Sequence, residues 1–172
     1  KGNTSPQQQN EDKTVEVIDT SSSDVNFAEL YYKKAKELSS IKVLIVGQDP
    51  YPSGANGVAF CKDNYYALYV EEPEPAGATV LKSMGIDMEK ARKIGYKNPK
   101  VLFYELLTKS GICFVNVYNK LYDQLNVEDR KAVAEETAKF NLPIVEKAES
   151  IILLGKGITK TTFEDYYKGI NY

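Results

Sequence analysis

The chain has 172 residues, 22 Lys and Arg against 24 Asp and Glu, a formal charge of −2, and neither His nor Trp. That length suits one domain with or without a tail, and 42% hydrophobic residues are enough for a packed core. The absence of His excludes Ser-His and Cys-His nucleophile pairs and every His-containing zinc site. The two cysteines supply neither four thiolates for zinc nor a disulfide framework.

Acid–base chemistry is left to Asp, Glu, Lys, Tyr, Cys or water. A near-neutral charge argues against strong non-specific nucleic-acid affinity, which rests on Lys and Arg neutralising phosphates, although a local basic groove remains open. The longest aliphatic runs, residues 43–46 and 151–154, are far too short to span a membrane. No secretory leader is read, so an intracellular chain is expected.

Residues 1–24 are polar apart from Val15, Val17 and Ile18, and read as a disordered arm outside a domain covering residues 25–172. The Val15–Ile18 stretch would suit an added edge strand or a docking peptide for a protein partner. From residue 25 to 38, Phe27, Leu30, Tyr31, Ala35 and Leu38 mark one helical face. Lys42-Val43-Leu44-Ile45-Val46-Gly47 follows as a strand buried on both faces. Residues 48–57 carry two prolines and two glycines and read as a structured loop, with a short extended segment over residues 57–61.

Residues 62–76 read as irregular. One helix is predicted over residues 78–93 and another over 99–109, with Pro99 at its start and Gly111 as its stop. Ile112-Cys113-Phe114-Val115-Asn116 reads as the second buried strand. A long helix over 127–147 follows, kinked or restarted at Pro143. Ile151-Ile152-Leu153-Leu154-Gly155 reads as the third strand, and residues 158–168 as a last helix. Cys61 and Cys113 read as small buried hydrophobes.

Apolar strands alternating with helices indicate an α/β fold with a mainly parallel sheet. Ligands of such sheets bind beyond the carboxyl ends of the strands. Here those ends are Gly47-Gln48-Asp49, Asn116-Val117-Tyr118-Asn119 and Gly155-Lys156-Gly157, which points to one site built from three loops.

Asp49 directly follows a buried strand, with Pro50 fixing the backbone behind it. A carboxylate there can stabilise positive charge or orient a water, or simply cap a turn. The Asn116 amide can read the edge of a base or form a turn. Tyr51 and Phe60 can sandwich a planar ligand or serve the core. The 155–162 stretch, Gly-Lys-Gly-Ile-Thr-Lys-Thr-Thr, lacks the phosphate-loop spacing. It reads as a strand-to-helix turn, with Lys156, Thr159 or Lys160 as phosphate contacts.

Together these residues resemble a known pattern. Gly47-Gln48-Asp49-Pro50-Tyr51-Pro52, followed by Gly57-Val58-Ala59-Phe60, resembles the first signature of the family 1 uracil-DNA glycosylases, GQDPYH and then G-[LV]-A-F. Pro52 stands where the signature usually has His, a variant that some members of the family share. The segment running from Leu106-Leu107 through Gly111 to Asn116 resembles the family's helix-to-strand segment. Residues 151–155 resemble its later strand. The likeness covers roughly residues 27–168.

The resemblance implies a three-layer α/β/α fold around a central, mainly parallel four-stranded sheet. It implies base excision of uracil from DNA by cleavage of the N-glycosidic bond, with base flipping and no metal or cofactor. Asp49 would be the catalytic carboxylate and Asn116 the reader of the flipped uracil. Phe60 would stack on the base, Tyr51 would wall the pocket and the Gln48 backbone would contact the base. Pro52, Ser53, Lys156 and Thr159 would lie against the DNA backbone.

The family's last signature, H-P-S-P-L, with its base-contacting His and wedging Leu, has no counterpart in these residues. Losing such a donor costs on the order of 100- to 1,000-fold in rate. Uracil-containing DNA is the expected partner, the chain is expected to be monomeric, and no membrane association is expected. The alternative is a catalytically inactive module of the same fold that binds DNA or a protein. A third reading is a small-ligand or nucleotide-binding α/β domain.

Overall fold

In the computed structural model, which describes residues 27–155 and 157–172, a parallel sheet forms from the three apolar runs. Strand β1 (Ile41–Gly47) is central, between β2 (Ile112–Asn116) and β3 (Ala148–Leu153). Both flanking strands are parallel to it, with Gly47 opposite Asn116 and Val46 opposite Leu153. The sheet therefore has three strands where four are expected. The three apolar runs account for all of them, and among the described residues no further run adds a strand. The expected N-terminal arm, with Val15–Ile18, lies outside the described residues.

The register puts Val43, Ile45, Ile112, Phe114 and Ile152 on one face and Leu44, Val46, Cys113, Val115 and Leu153 on the other. β1 is almost wholly buried from Leu44 onward, whereas Ile152 of β3 is 46% exposed. This alternation in β3 departs from a strand buried on both faces.

Helix α1 (Phe27–Glu37) lies over the outer edge of β2. The Tyr32 hydroxyl donates to the Phe114 carbonyl (2.7 Å), and the Tyr31 hydroxyl accepts from the Phe114 N–H (3.2 Å). Two phenols thus take the place of a neighbouring strand at this point of the edge. Tyr32 also accepts from the Ala59 N–H at 3.1 Å, which ties the loop after β1 to the same helix.

Between β1 and β2 the chain forms α2 (Tyr65–Tyr69), α3 (Ala76–Ser83), α4 (Met88–Lys93) and α5 (Pro99–Ser110). The single helix expected over 78–93 is two helices. Gly85, at φ 82°, ends the first, and the Asp87 side chain caps the second by accepting from the Lys90 N–H. Residues 65–69, expected to be irregular, are helical because Asn64 caps the Ala67 N–H. The segment over 57–61 is a turn rather than extended, with the Cys61 N–H bonded to the Val58 carbonyl.

Gly111, at φ 68°, closes α5, and its carbonyl accepts from the Lys42 and Val43 N–H groups. Helix α6 (Val127–Val145) runs through Pro143 without restarting. The proline sits in the last turn, and the carbonyl it leaves unpaired belongs to exposed Lys139, where water can take it. Helix α7 (Gly157–Tyr166) follows β3. No helix among the described residues is long and apolar enough to cross a membrane.

Candidate functional site

The carboxyl ends of the three strands converge on a cavity of about 260 Å³. Gly47, Gln48, Asp49, Pro50, Tyr51 and Pro52 line it from the β1 end. Asn116 lines it from β2, Leu154 and Gly155 from β3, and Phe60 and Ala76 close it. Six of the nine expected site residues thus share one cavity.

The other three do not. Ser53 is exposed in the turn beyond Pro52 and does not line the cavity. Thr159 is 1% exposed, and its Oγ1 has no hydrogen-bond partner among the described residues. The hydroxyl is packed toward Gly155. Lys156 lies outside the described residues.

Asp49 is held by a turn from the opposite loop. Its Oδ2 accepts from the backbone N–H of Tyr122 at 2.9 Å. That N–H opens a 3-10 turn, Tyr122–Gln124, which is clamped from both sides. The Arg130 guanidinium lies 3.7 Å over the Tyr122 ring, and its Nε donates to the Tyr122 carbonyl at 3.1 Å. Tyr118 meets the same ring edge-on at 5.0 Å. One carboxylate oxygen is therefore fixed, and Oδ1 has no partner among the described residues.

Phe60 and Asn116 are set by the absence of a side chain at Gly47. A Cβ there would stand 2.6 Å from Phe60 Cζ and 2.9 Å from Asn116 Oδ1. Phe60 itself adopts φ 69°, a left-handed conformation that costs a non-glycine residue about 1 kcal/mol or more. Strain of this kind concentrates at sites where the chain must aim a group.

Tyr51 holds Phe60 in that conformation. Its hydroxyl accepts from the Gly77 N–H at 2.7 Å and donates to the Phe60 carbonyl at 3.3 Å. Burial pushes the Tyr51 phenol up to about 12, the Gly77 hydrogen bond opposing the shift, so it stays protonated and able to donate. The Lys62 ammonium lies 4.7 Å over the Tyr51 ring and 3.9 Å from Glu71.

The Asn116 carbonyl accepts from Asn141 Nδ2 at 2.8 Å, while its side-chain amide makes no hydrogen bond among the described residues. A free amide beside an aromatic ring can read the donor–acceptor edge of a planar heterocycle. Among the described residues no cationic side chain lines the cavity. Among the described residues no group of three or more Cys, Asp or Glu is placed to hold a metal.

Tyr122, Gly77, Lys62 and Asn141 support the site and are not legible as site residues. Tyr122 acts through its backbone, and Asn141 reaches Asn116 from the middle of a helix. Only Gly77, two residues after Pro75 in an otherwise helical stretch, leaves a trace in the sequence. No protein-family model, curated protein or solved structure matches the chain.

Proposed function

We propose that the chain cleaves uracil from DNA by hydrolysing the N-glycosidic bond, in the manner of a uracil-DNA glycosylase-like three-layer domain. The observation that carries this reading is the grouping of Asp49, Asn116, Phe60 and Tyr51 around one cavity. Those four residues are the ones to which the resemblance assigns the sugar and base contacts. Phe60 offers a face for the extruded base, and Asn116 an unpaired amide for its pairing edge. Tyr51 closes a wall of the same cavity.

The C1′–N1 bond breaks and its electron pair leaves with the base. Positive charge develops on the sugar, where the Asp49 carboxylate stabilises it. Water then adds to C1′ and passes its proton to Asp49, and the base anion takes up a proton from solvent. Tyr122 fixes Oδ2, so Oδ1 is the oxygen left to orient that water. No cofactor enters these steps.

A second reading is favoured by one observation: among the described residues no cation lines the cavity to neutralise the departing base. A module that binds uracil-containing DNA without cleaving it would have that composition.

The test is uracil release from a single-stranded, uracil-containing oligonucleotide, measured beside Asp49→Asn. Single-stranded substrate removes the demand for duplex opening. Release by the native chain, reduced at least about 100-fold in the variant, is expected. Equal, background-level release from both proteins, each folded, would reject cleavage, and retained oligonucleotide binding would then support the second reading.

A further inference from the structure

We propose that a second cavity, adjoining the first, binds an uncharged planar heterocycle with neighbouring ring N–H and carbonyl groups, the chemistry of a free pyrimidine base. This cavity, of about 350 Å³, shares Pro50, Tyr51, Phe60 and Asn116 with the first but includes neither Gln48 nor Asp49. Its far side is built by α1 and α6. The volume lies at the lower end of the range of small-molecule sites.

The lining separates by chemistry. Tyr32, Val58, Phe60 and Phe140 are aromatic or aliphatic, and the Tyr32 hydroxyl is already committed to Phe114 and Ala59. Against them stand four neutral polar residues, Asn116, Asn119, Thr137 and Asn141. Thr137 and Asn141 lie one helical turn apart on α6 and are each 3% exposed. Polar groups so deeply buried need partners.

The partners present account for only part of them. Asn141 Nδ2 donates to the Asn116 carbonyl and to the Tyr167 hydroxyl, which leaves its Oδ1 as a free acceptor among the described residues. Thr137 Oγ1 accepts from the Asn119 N–H at 3.2 Å and has its own proton left to donate. The side-chain amide of Asn119 makes no hydrogen bond among the described residues. The cavity therefore offers an acceptor, a donor and carboxamides beside aromatic surface.

Charge narrows the ligand class. Among the described residues Glu29 is the one formally charged residue in the lining, and it is exposed. No Lys or Arg among the described residues lines the cavity, so a phosphate-bearing nucleotide is disfavoured and a neutral base or nucleoside fits. The inference does not require that the chain cleave DNA.

The test is a titration of the full chain with free uracil, followed by two-dimensional amide NMR. Shifts at Asn119, Thr137, Phe140 and Asn141 report the second cavity, and shifts at Gly47, Gln48, Leu154 and Gly155 report the first. Saturable shifts in the former group are expected. Thr137→Val should weaken them about threefold to tenfold, the effect of one hydrogen bond. Ala55→Phe, at an exposed lining position, should abolish them by obstruction without disturbing the core.

A parallel titration with uridine distinguishes a free base from a nucleoside, and either one binding supports the proposal. If both ligands shift only the first group, or neither group, the inference is overturned. Binding that survives unchanged in both variants overturns it as well. Uracil release from an oligonucleotide, measured on the same samples, separates the two readings. Cleavage without second-cavity binding leaves the proposed function standing alone, and binding without cleavage leaves this inference standing alone.

Discussion

The backbone N–H of Tyr122 donates to Asp49 Oδ2 across 2.9 Å, although the two residues are 73 apart in sequence. The bond ties the loop after β2 to the loop after β1, and it needs only an oxygen at position 49. Asp49→Asn keeps that oxygen and removes the charge. Its unfolding free energy from urea titration should stay within about 0.5 kcal/mol of the native chain, while uracil release falls at least about 100-fold. A variant that loses both in proportion would make Asp49 a structural residue.

Gly47 is where the site is most sensitive to volume. A methyl group there meets the Phe60 ring and the Asn116 amide at 2.6–2.9 Å. Gly47→Ala should destabilise by about 1–3 kcal/mol, the usual effect of overpacking, and should abolish uracil release. Adding Phe60→Ala should recover part of the stability and none of the activity. Strictly additive losses of stability in that double-mutant cycle would mean that the two positions do not meet.

Tyr32 joins three elements through one hydroxyl. Tyr32→Phe leaves the Phe114 carbonyl and the Ala59 N–H unpaired in a buried setting. Each such group costs about 1–3 kcal/mol, so a loss of at least about 2 kcal/mol is expected. Thermal denaturation would read it as a drop of several degrees in Tm. A drop too small to resolve would show that water replaces the phenol at the sheet edge.

Alkali should unfold the protein in two overlapping stages. Burial pushes the Cys61 and Cys113 thiols from 9 up to about 12, and the Tyr51 and Tyr167 phenols from 10 up to about 12. The unfolded chain therefore loses these protons first and binds fewer of them across the window. Stability should be at its plateau below about pH 9 and fall as pH rises toward 12. Urea midpoints across that range check the slope. Replacing both cysteines by Ala should move the onset toward pH 10, where the tyrosines begin to titrate.

Much of the framework was legible because its signals are local. The runs at residues 42–47, 112–116 and 151–155 read as strands from their β-branched and aliphatic content, and all three pair in parallel, the third over Ala148–Leu153 rather than 151–155. The glycine at 111 read as a helix stop and is one. The break at Gly85 was equally present in the sequence, yet the apolar spacing on either side of it masked two helices as one. The fourth strand was an expectation from family resemblance, with no apolar run of its own behind it. The restart expected at Pro143 does not occur, because the proline stands in the last turn of α6 and the carbonyl it orphans belongs to exposed Lys139.

The sequence by itself determined the strands, the α/β class and the chemistry available to the chain, since composition and apolar periodicity depend on each residue and its near neighbours. It also marked Asp49 and Asn116 as candidates, because residues just beyond buried strands collect at one edge of a parallel sheet, and Tyr51 and Phe60 as aromatics flanking the loop after the first strand, while Gln48 came from the family resemblance. Tertiary structure alone decided which atoms of those residues remain available. Tyr122 takes one oxygen of Asp49, Gly77 and Tyr51 hold Phe60 in a left-handed conformation, and Asn141 fixes the backbone of Asn116. Tertiary structure likewise buried Thr159. Each of these outcomes is a hydrogen bond or a packing contact between residues far apart in the chain, and no local pattern records such a partner.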